Sequence, residues 1–216
     1  MGKDDVIAKT IEFIKQKLQG EGSGHDWWHI YRVHKTSLEI ARDEGANLFV
    51  VELGALLHDI ADWKFTNGDE EEGGRQSRIW LESLGVPQEI INHVCNIVNN
   101  IGFKGGKGQL MSTIEGKVVQ DADRLDAIGA IGIARTFAYA GHKGREIYNP
   151  DISPKTDQSK EEYRDSSTPA INHFYEKLLK LKDLMNTKMG RELAQKRHEF
   201  MKLYLNEFYE EWGNVK

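Results

Sequence analysis

Apolar residues recur at helical spacing from the start of the chain, and the pattern is interrupted by glycine, proline or polar clusters. Val6, Ile7, Ile11, Ile14 and Leu18 form a first stripe that stops at Gly20, Gly22 and Gly24. Asp26 is placed to cap a second helix through His29, Ile30, Val33, Leu38, Ile40 and Ala41, ending near Gly45. Asn47 precedes a third helix, whose Leu53, Leu56, Leu57 and Ile60 face a core and which carries His58 and Asp59 within it. The polar stretch from Thr66 to Gly74 reads as a loop. A short helix through Ile79, Trp80 and Leu84 stops at Gly85, and Pro87 opens another with Ile90, Ile91, Val94, Ile97 and Val98 inward.

Ile101 to Gln109 is glycine-rich and basic and cannot be a helix interior. From Thr113 an apolar stretch runs through Val118, Val119, Leu125, Ile128, Ile131 and Ile133 to Tyr139, with close packing or a break expected near Gly129. The polar segment from Gly141 to Ser166, with Pro150 and Pro154, reads as a surface excursion or a lid. Ser167, Thr168 and Pro169 open a helix to about Met185, and the last helix runs from about Gly190 to Trp212. Its Phe200, Tyr204, Phe208 and Trp212 fall on every fourth residue and are expected against the chain's own core, a homodimer contact being the other option. Period-2 runs and hairpin turns are lacking, so the expected fold is all-α. Nothing resembling a linker separates two cores, which predicts a single domain over residues 1–216, with a core at about 24–140 and C-terminal helices at about 167–213.

Composition narrows the function classes. A net charge of −5 over 216 residues argues against a general nucleic-acid binder. No apolar run is long enough for a bilayer, and Met1 to Asp5 carries no apolar leader core, so a cytoplasmic setting is expected. Cys95 is the one cysteine and sits in an apolar helical pattern, which suits a buried structural thiol.

Three separated segments hold side chains that bind cations or carry protons. They are His25-Asp26-Trp27-Trp28-His29 with Arg32 a turn later, His58-Asp59-Ile60-Ala61-Asp62, and Asp121-Ala122-Asp123-Arg124-Leu125-Asp126. Polar groups beside a core stripe are costly unless paired or metal-bound. One imidazole, an imidazole with a carboxylate, and a further carboxylate would form a mixed nitrogen and oxygen site. Such a set suits Mn²⁺, Fe²⁺ or Mg²⁺ better than a structural zinc, which favours thiolates. On spacing, Asp121, Asp123 and Asp126 compete for the last place. The loop Phe103 to Gly108 offers Lys104 and Lys107 with glycines that permit close approach to phosphate, though it is no P-loop. His25 reads as part of a helix cap, and His34 and His93 as solvated. Trp27, Trp28, Trp63 and Trp80 read as core. Arg135, Tyr139 and His142 could line a pocket after the aspartate-rich helix.

His29 in an H-x-x-R-V setting, the His58-Asp59 doublet and Asp123 in A-D-R-L resemble the H…HD…D signature of the HD-domain metal-dependent phosphohydrolases. The strings GHDWWHIYRV, LLHDIAD and VVQDADRLDAIGAIGIARTF are similar to a bacterial stand-alone subgroup that includes manganese-dependent nucleoside triphosphate pyrophosphohydrolases. The resemblance runs from about Gly24 to the last helix. It implies an HD-domain helical bundle with His29, His58, Asp59 and Asp123 as metal ligands. Asp62 matches a position where related nucleotidases place a water-activating acid. It implies one divalent ion, manganese first, with magnesium, iron, cobalt or nickel as the other candidates. Many HD proteins carry an extra histidine where Asn99 and Asn100 stand here, which favours a single ion. The implied substrate is a nucleotide, with Lys104, Lys107 and Arg124 as phosphate contacts. The implied reaction releases monophosphate and pyrophosphate from a (deoxy)nucleoside triphosphate. A nucleoside 5′-monophosphatase and a non-catalytic nucleotide-binding regulator are the alternatives. No nucleic-acid or membrane partner is expected.

Overall fold

The structure, a computed structural model, describes residues 1–20, 26–61, 69, 71–102, 111–155 and 167–213. These form α1 (Lys3–Lys17), α2 (Trp27–Glu44), α3 (Leu48–Leu57), α4 (Glu72–Ser83), α5 (Gln88–Asn100), α6 (Ile114–Asp126), α7 (Gly129–His142), α8 (Ala170–Glu176), a 3₁₀ helix (Leu178–Leu184) and α9 (Lys188–Trp212). No strand occurs among the described residues, so the all-α expectation holds. Two compact units divide the chain, Met1–Asp123 and Arg124–Lys216.

In the first unit α3 is the central element. Its Phe49, Val50, Val51, Leu53, Gly54, Ala55, Leu56 and Leu57 are all buried, which marks a helix enclosed on every side. A Cβ on Gly54 would stand 3.4 Å from both Ile97 and Val119, so glycine here lets α3 approach α5 and α6 closely. From α2, Ile30, Val33, Ile40 and Ala41 fill the other side without solvent contact. Burying each such leucine, isoleucine or valine contributes roughly 1.5–3 kcal/mol. The ends of α2 follow the caps read from the sequence. The Asp26 carboxylate accepts the His29 N–H, and Gly45 closes the helix at φ +67°.

The α4–α5 pair is held by Asn99, whose Oδ1 accepts the Gly74 N–H at 2.9 Å, and by the buried Cys95 thiol against the Gly74 carbonyl at 3.2 Å. Against α1, Trp80 stacks on Phe13 with ring centroids 4.0 Å apart and donates its indole N–H to the buried Thr10 hydroxyl at 3.0 Å.

In the second unit α7 starts at Gly129, whose φ of +77° makes the turn out of α6. The helix expected from Ser167 to Met185 is interrupted. α8 ends at Glu176, Lys177 leaves helical geometry, and a 3₁₀ helix follows with Leu178 and Leu181 buried. Buried residues three apart fit a three-residue turn as well as an α-helix, so the apolar pattern did not separate the two. The segment after α7 is tied to α8. Ala170 and Ile171 donate backbone N–H groups to Glu146 and Ile147, and the buried Glu176 accepts the Lys155 N–H and the Thr168 hydroxyl. Of the excursion expected at 141–166, residues 141 and 142 belong to α7, and 156–166 lie outside the described residues.

The aromatic ladder of α9 points in two directions. Tyr204 stacks on Phe174 at 5.9 Å, and Phe208 and Trp212 present their rings to Tyr148 at 5.8 and 5.0 Å. Phe200 and Trp212 are each 47% exposed, which corrects their expected place in the core. No helix of the described residues is long and apolar enough to cross a membrane.

Candidate metal centre

Each side chain of the centre is placed by a helix end. His29 lies in the first turn of α2, where the Asp26 carboxylate accepts its backbone N–H at 2.9 Å, and its imidazole is 1% exposed. His58 follows the last residue of α3, so the helix does not carry the His58-Asp59 pair within it as expected. The Ile60 N–H turns back to the Leu57 carbonyl, and the apolar pattern runs on past the point where the helix stops.

His58 donates Nδ1–H to the Ala55 carbonyl at 2.8 Å. A carbonyl only accepts, so the proton sits on Nδ1 and the Nε2 lone pair faces away from α3. That lone pair stands 3.1 Å from the His29 Nε2. The Asp59 Oδ2 is 3.4 Å from His29 Nε2 and 3.6 Å from His58 Nε2. The Asp123 Oδ1 is 3.6 and 3.8 Å from the same two nitrogens. Both imidazoles are 1% exposed while the carboxylates are 21% and 33% exposed, so the histidines form the inner wall and the aspartates the rim.

Ligands about 2.0–2.2 Å from a common ion stand roughly 3–3.6 Å apart when adjacent; the His29, His58 and Asp59 spacings fall in that range, and Asp123 lies slightly farther from His58, at 3.8 Å. The donor chemistry fits as well, with two neutral imidazole nitrogens and two carboxylates. His29, His58 and Asp59 could together hold a metal ion, their ligand atoms all lying within 4.8 Å of one another. Of the three competing aspartates, Asp123 places a carboxylate oxygen within 4 Å of both nitrogens. Asp126 is instead ion-paired with Arg135 at 2.6 Å, and Asp121 is fully buried. Two residues along a helix point to nearly opposite sides, which separates Asp121 from Asp123.

Arg124 is half-buried and donates from its guanidinium to the Leu184 carbonyl, so part of its hydrogen-bonding capacity is used within the fold. Asp62, Lys104, Lys107 and His25 lie outside the described residues. His34 and His93 are not solvated as expected. His34 pairs with Glu52 at 2.9 Å between α2 and α3, and His93 meets the Thr113 hydroxyl at 2.9 Å. The first contact joins α2, which carries His29, to α3, which ends just before His58. Trp28 is 60% exposed, against its expected place in the core. Arg135 is engaged by Asp126, and the Tyr139 ring lies under Arg145 at 5.6 Å. The Ala55 carbonyl, which orients His58, carried no sequence signal because it is a backbone group.

Residues 27–128 match the family model of the HD domain. A crystal structure from Bacillus thuringiensis, that of an HD-superfamily hydrolase, is 48% identical, covers the whole of both chains and superposes with a TM-score of 0.77. The chain belongs to the HD-domain superfamily. Its members are metal-dependent phosphohydrolases, and the chain is an enzyme of this HD type. The uncharacterized protein YpgQ of Bacillus subtilis is 41% identical over 194 residues, which span 88% of this chain and 85% of YpgQ. The crystal structure of YpgQ in complex with ADP matches with a TM-score of 0.73 and 39% identity, covering 95% of this chain and 100% of that one.

Proposed function

We propose that this HD enzyme hydrolyses (deoxy)nucleoside triphosphates to monophosphate and pyrophosphate, using one divalent ion, manganese by preference, held by His29, His58, Asp59 and Asp123. The observation that carries the reading is the approach of the buried His29 and His58 Nε2 atoms and the Asp59 carboxylate to within 4.8 Å of one another, with the Asp123 Oδ1 at 3.6 and 3.8 Å from the two nitrogens. The crystal structure of YpgQ with ADP supports a nucleotide as the ligand class. A cytoplasmic setting, where such substrates are found, completes the proposal.

When bound, the ion supplies Lewis-acid polarisation of a phosphoryl oxygen and a water more readily deprotonated at neutral pH. The chain's own residues supply the rest. The Ala55 carbonyl holds His58 in the tautomer that keeps Nε2 unprotonated, and Asp26 fixes the turn that aims His29. The exposure of Asp59 and Asp123 leaves the carboxylate side for substrate. The water oxygen bonds to the α-phosphorus, the bond to the bridging oxygen breaks, and pyrophosphate leaves with the electron pair. Asp62 accepts the proton of the water. Lys104, Lys107 and Arg124 offset the phosphate charge.

The test is product analysis of metal-stripped protein, with Mn²⁺ or Mg²⁺ restored, against nucleoside tri- and monophosphates, with Asp59→Ala as the control. Monophosphate and pyrophosphate that disappear in the control support the proposal. Orthophosphate released from monophosphates alone replaces it with a 5′-monophosphatase. Tight nucleotide binding without product replaces it with a regulator.

A further inference from the structure

Asp123 comes to the metal centre from the last turn of α6, while His29 lies on α2 and His58 and Asp59 follow the end of α3. Where its carboxylate falls therefore depends on how α6 is set, along and around its axis, against α3 and α5. A slip of one residue moves a helical side chain by about 1.5 Å and turns it by about 100°.

Two residues one turn before Asp123 fix that setting. Val119 is fully buried, and it packs with Ile97 of α5 where a Cβ on Gly54 of α3 would stand, 3.4 Å from each. Apolar packing is not directional and tolerates small slips. Gln120 adds a contact that does not. It is 1% exposed, and its Nε2–H donates to the Ile101 carbonyl at 3.3 Å, 19 residues away in sequence. Ile101 caps the C-terminal end of α5 and is itself buried. The last carbonyls of a helix have no partner within it, and a buried one is costly to leave unpaired. A slip of α6 breaks this bond, so the bond selects one register. Gln120 and Asp123 stand three residues apart on α6, which places them on the same flank of the helix. The polar ties of Thr113 to His93 and of Glu115 to the Asn47 N–H hold the opposite end of the helix.

We propose that Gln120 is a positioning residue for the metal centre. By bonding the Ile101 carbonyl it sets the register of α6 on α5, and with it the place of the Asp123 carboxylate beside His29 and His58. The role is exerted through Asp123 and requires no contact with ion or substrate. It rests on the ligand set proposed above.

Mn²⁺ titration calorimetry on the metal-stripped full chain tests it, together with the electron paramagnetic resonance spectrum of the bound Mn²⁺. Gln120→Met keeps the length of the side chain and removes the donor. Gln120→Asn keeps the amide and draws it back from the carbonyl. Both should bind Mn²⁺ about tenfold or more weakly, with an altered spectrum and unchanged far-ultraviolet circular dichroism. Thr10→Val removes the buried hydroxyl that accepts the Trp80 indole N–H, away from α6, and should keep the wild-type affinity and spectrum. In an Asp123→Asn background, Gln120→Met should cost no more than about twofold, because the ligand it positions is already impaired. Wild-type affinity and spectrum in either folded Gln120 variant would overturn the proposal. So would an equal loss in Thr10→Val, or the full loss persisting in the Asp123→Asn background. Full Mn²⁺ affinity in Asp123→Asn alone would overturn the ligand set itself, and the inference with it.

Discussion

His29 and His58, 29 residues apart in sequence, bring their Nε2 nitrogens to 3.1 Å of each other inside the fold. Two lone pairs at that distance repel unless a proton or a cation lies between them, and the Ala55 carbonyl holds the His58 proton on the far nitrogen. His58→Ala removes a ligand and should lower Mn²⁺ affinity by more than the roughly 10–100-fold typical of losing a residue that merely orients one. Glu52→Gln, which disturbs only the brace to His34, should leave that affinity within a few-fold and lower stability by about 0.5–1.5 kcal/mol. Titration calorimetry on both variants measures the contrast. Equal losses in the two would contradict it.

Asp123 and Asp126 share a helix but have different work. Asp123→Ala should abolish stoichiometric metal while leaving the thermal midpoint of the metal-free protein unchanged or raised, since a rim carboxylate is removed. Asp126→Asn should keep the metal and cost about 1–3 kcal/mol. That range is discounted from a fully buried pair because Arg135 is 22% exposed. Elemental analysis alongside urea unfolding separates the two. Metal retained by Asp123→Ala would move the ligand role to Asp121 or Asp126.

The sequence carried much of this arrangement because its signals are local. Asp26, Gly45, Asn47, Gly85 and Gly129 mark helix ends through capping oxygens or positive φ, and the helices start and stop beside them. The end of α3 was not legible, since Ile60 continues the apolar spacing and the turn depends on packing around His58. His34 and His93 read as surface residues because their partners come from other helices. The choice of Asp123 among three aspartates rested on family resemblance, for spacing along one helix cannot say which side meets α2 and α3. The aromatic ladder of α9 misled for a related reason. A four-residue step drifts around the helix, so Phe200 and Tyr204 do not face the same neighbours.

Gly74 reports on the α4–α5 contact. A Cβ there would run into the Asn99 side chain that also accepts the Gly74 N–H. Gly74→Ala should therefore cost about 1–3 kcal/mol in urea unfolding despite the better helix propensity of alanine. A stabilised variant would show that Asn99 moves aside freely.

His198 gives a pH signature apart from the metal centre. Burial, with Lys182 near it, holds the imidazole below its ordinary pKa, and its buried Nδ1 has no hydrogen-bond partner among the described residues. The unfolded chain takes up this proton near pH 6.5, before the folded chain does. The stability tied to a neutral His198 is therefore fully present above about pH 6.5 and is lost as pH falls towards the lower folded value. His198→Gln should flatten the decline in stability of the metal-free protein between about pH 7 and pH 5.5. Identical slopes in wild type and variant would refute the assignment.

Hydrolysis of a nucleoside triphosphate in oxygen-18-labelled water, with Mn²⁺ restored to the wild-type protein, tests the central claim most directly. Attack at the α-phosphorus places the label in the monophosphate and leaves pyrophosphate unlabelled, which is the result the account predicts. Label in the pyrophosphate, or in orthophosphate released with a diphosphate, would contradict it.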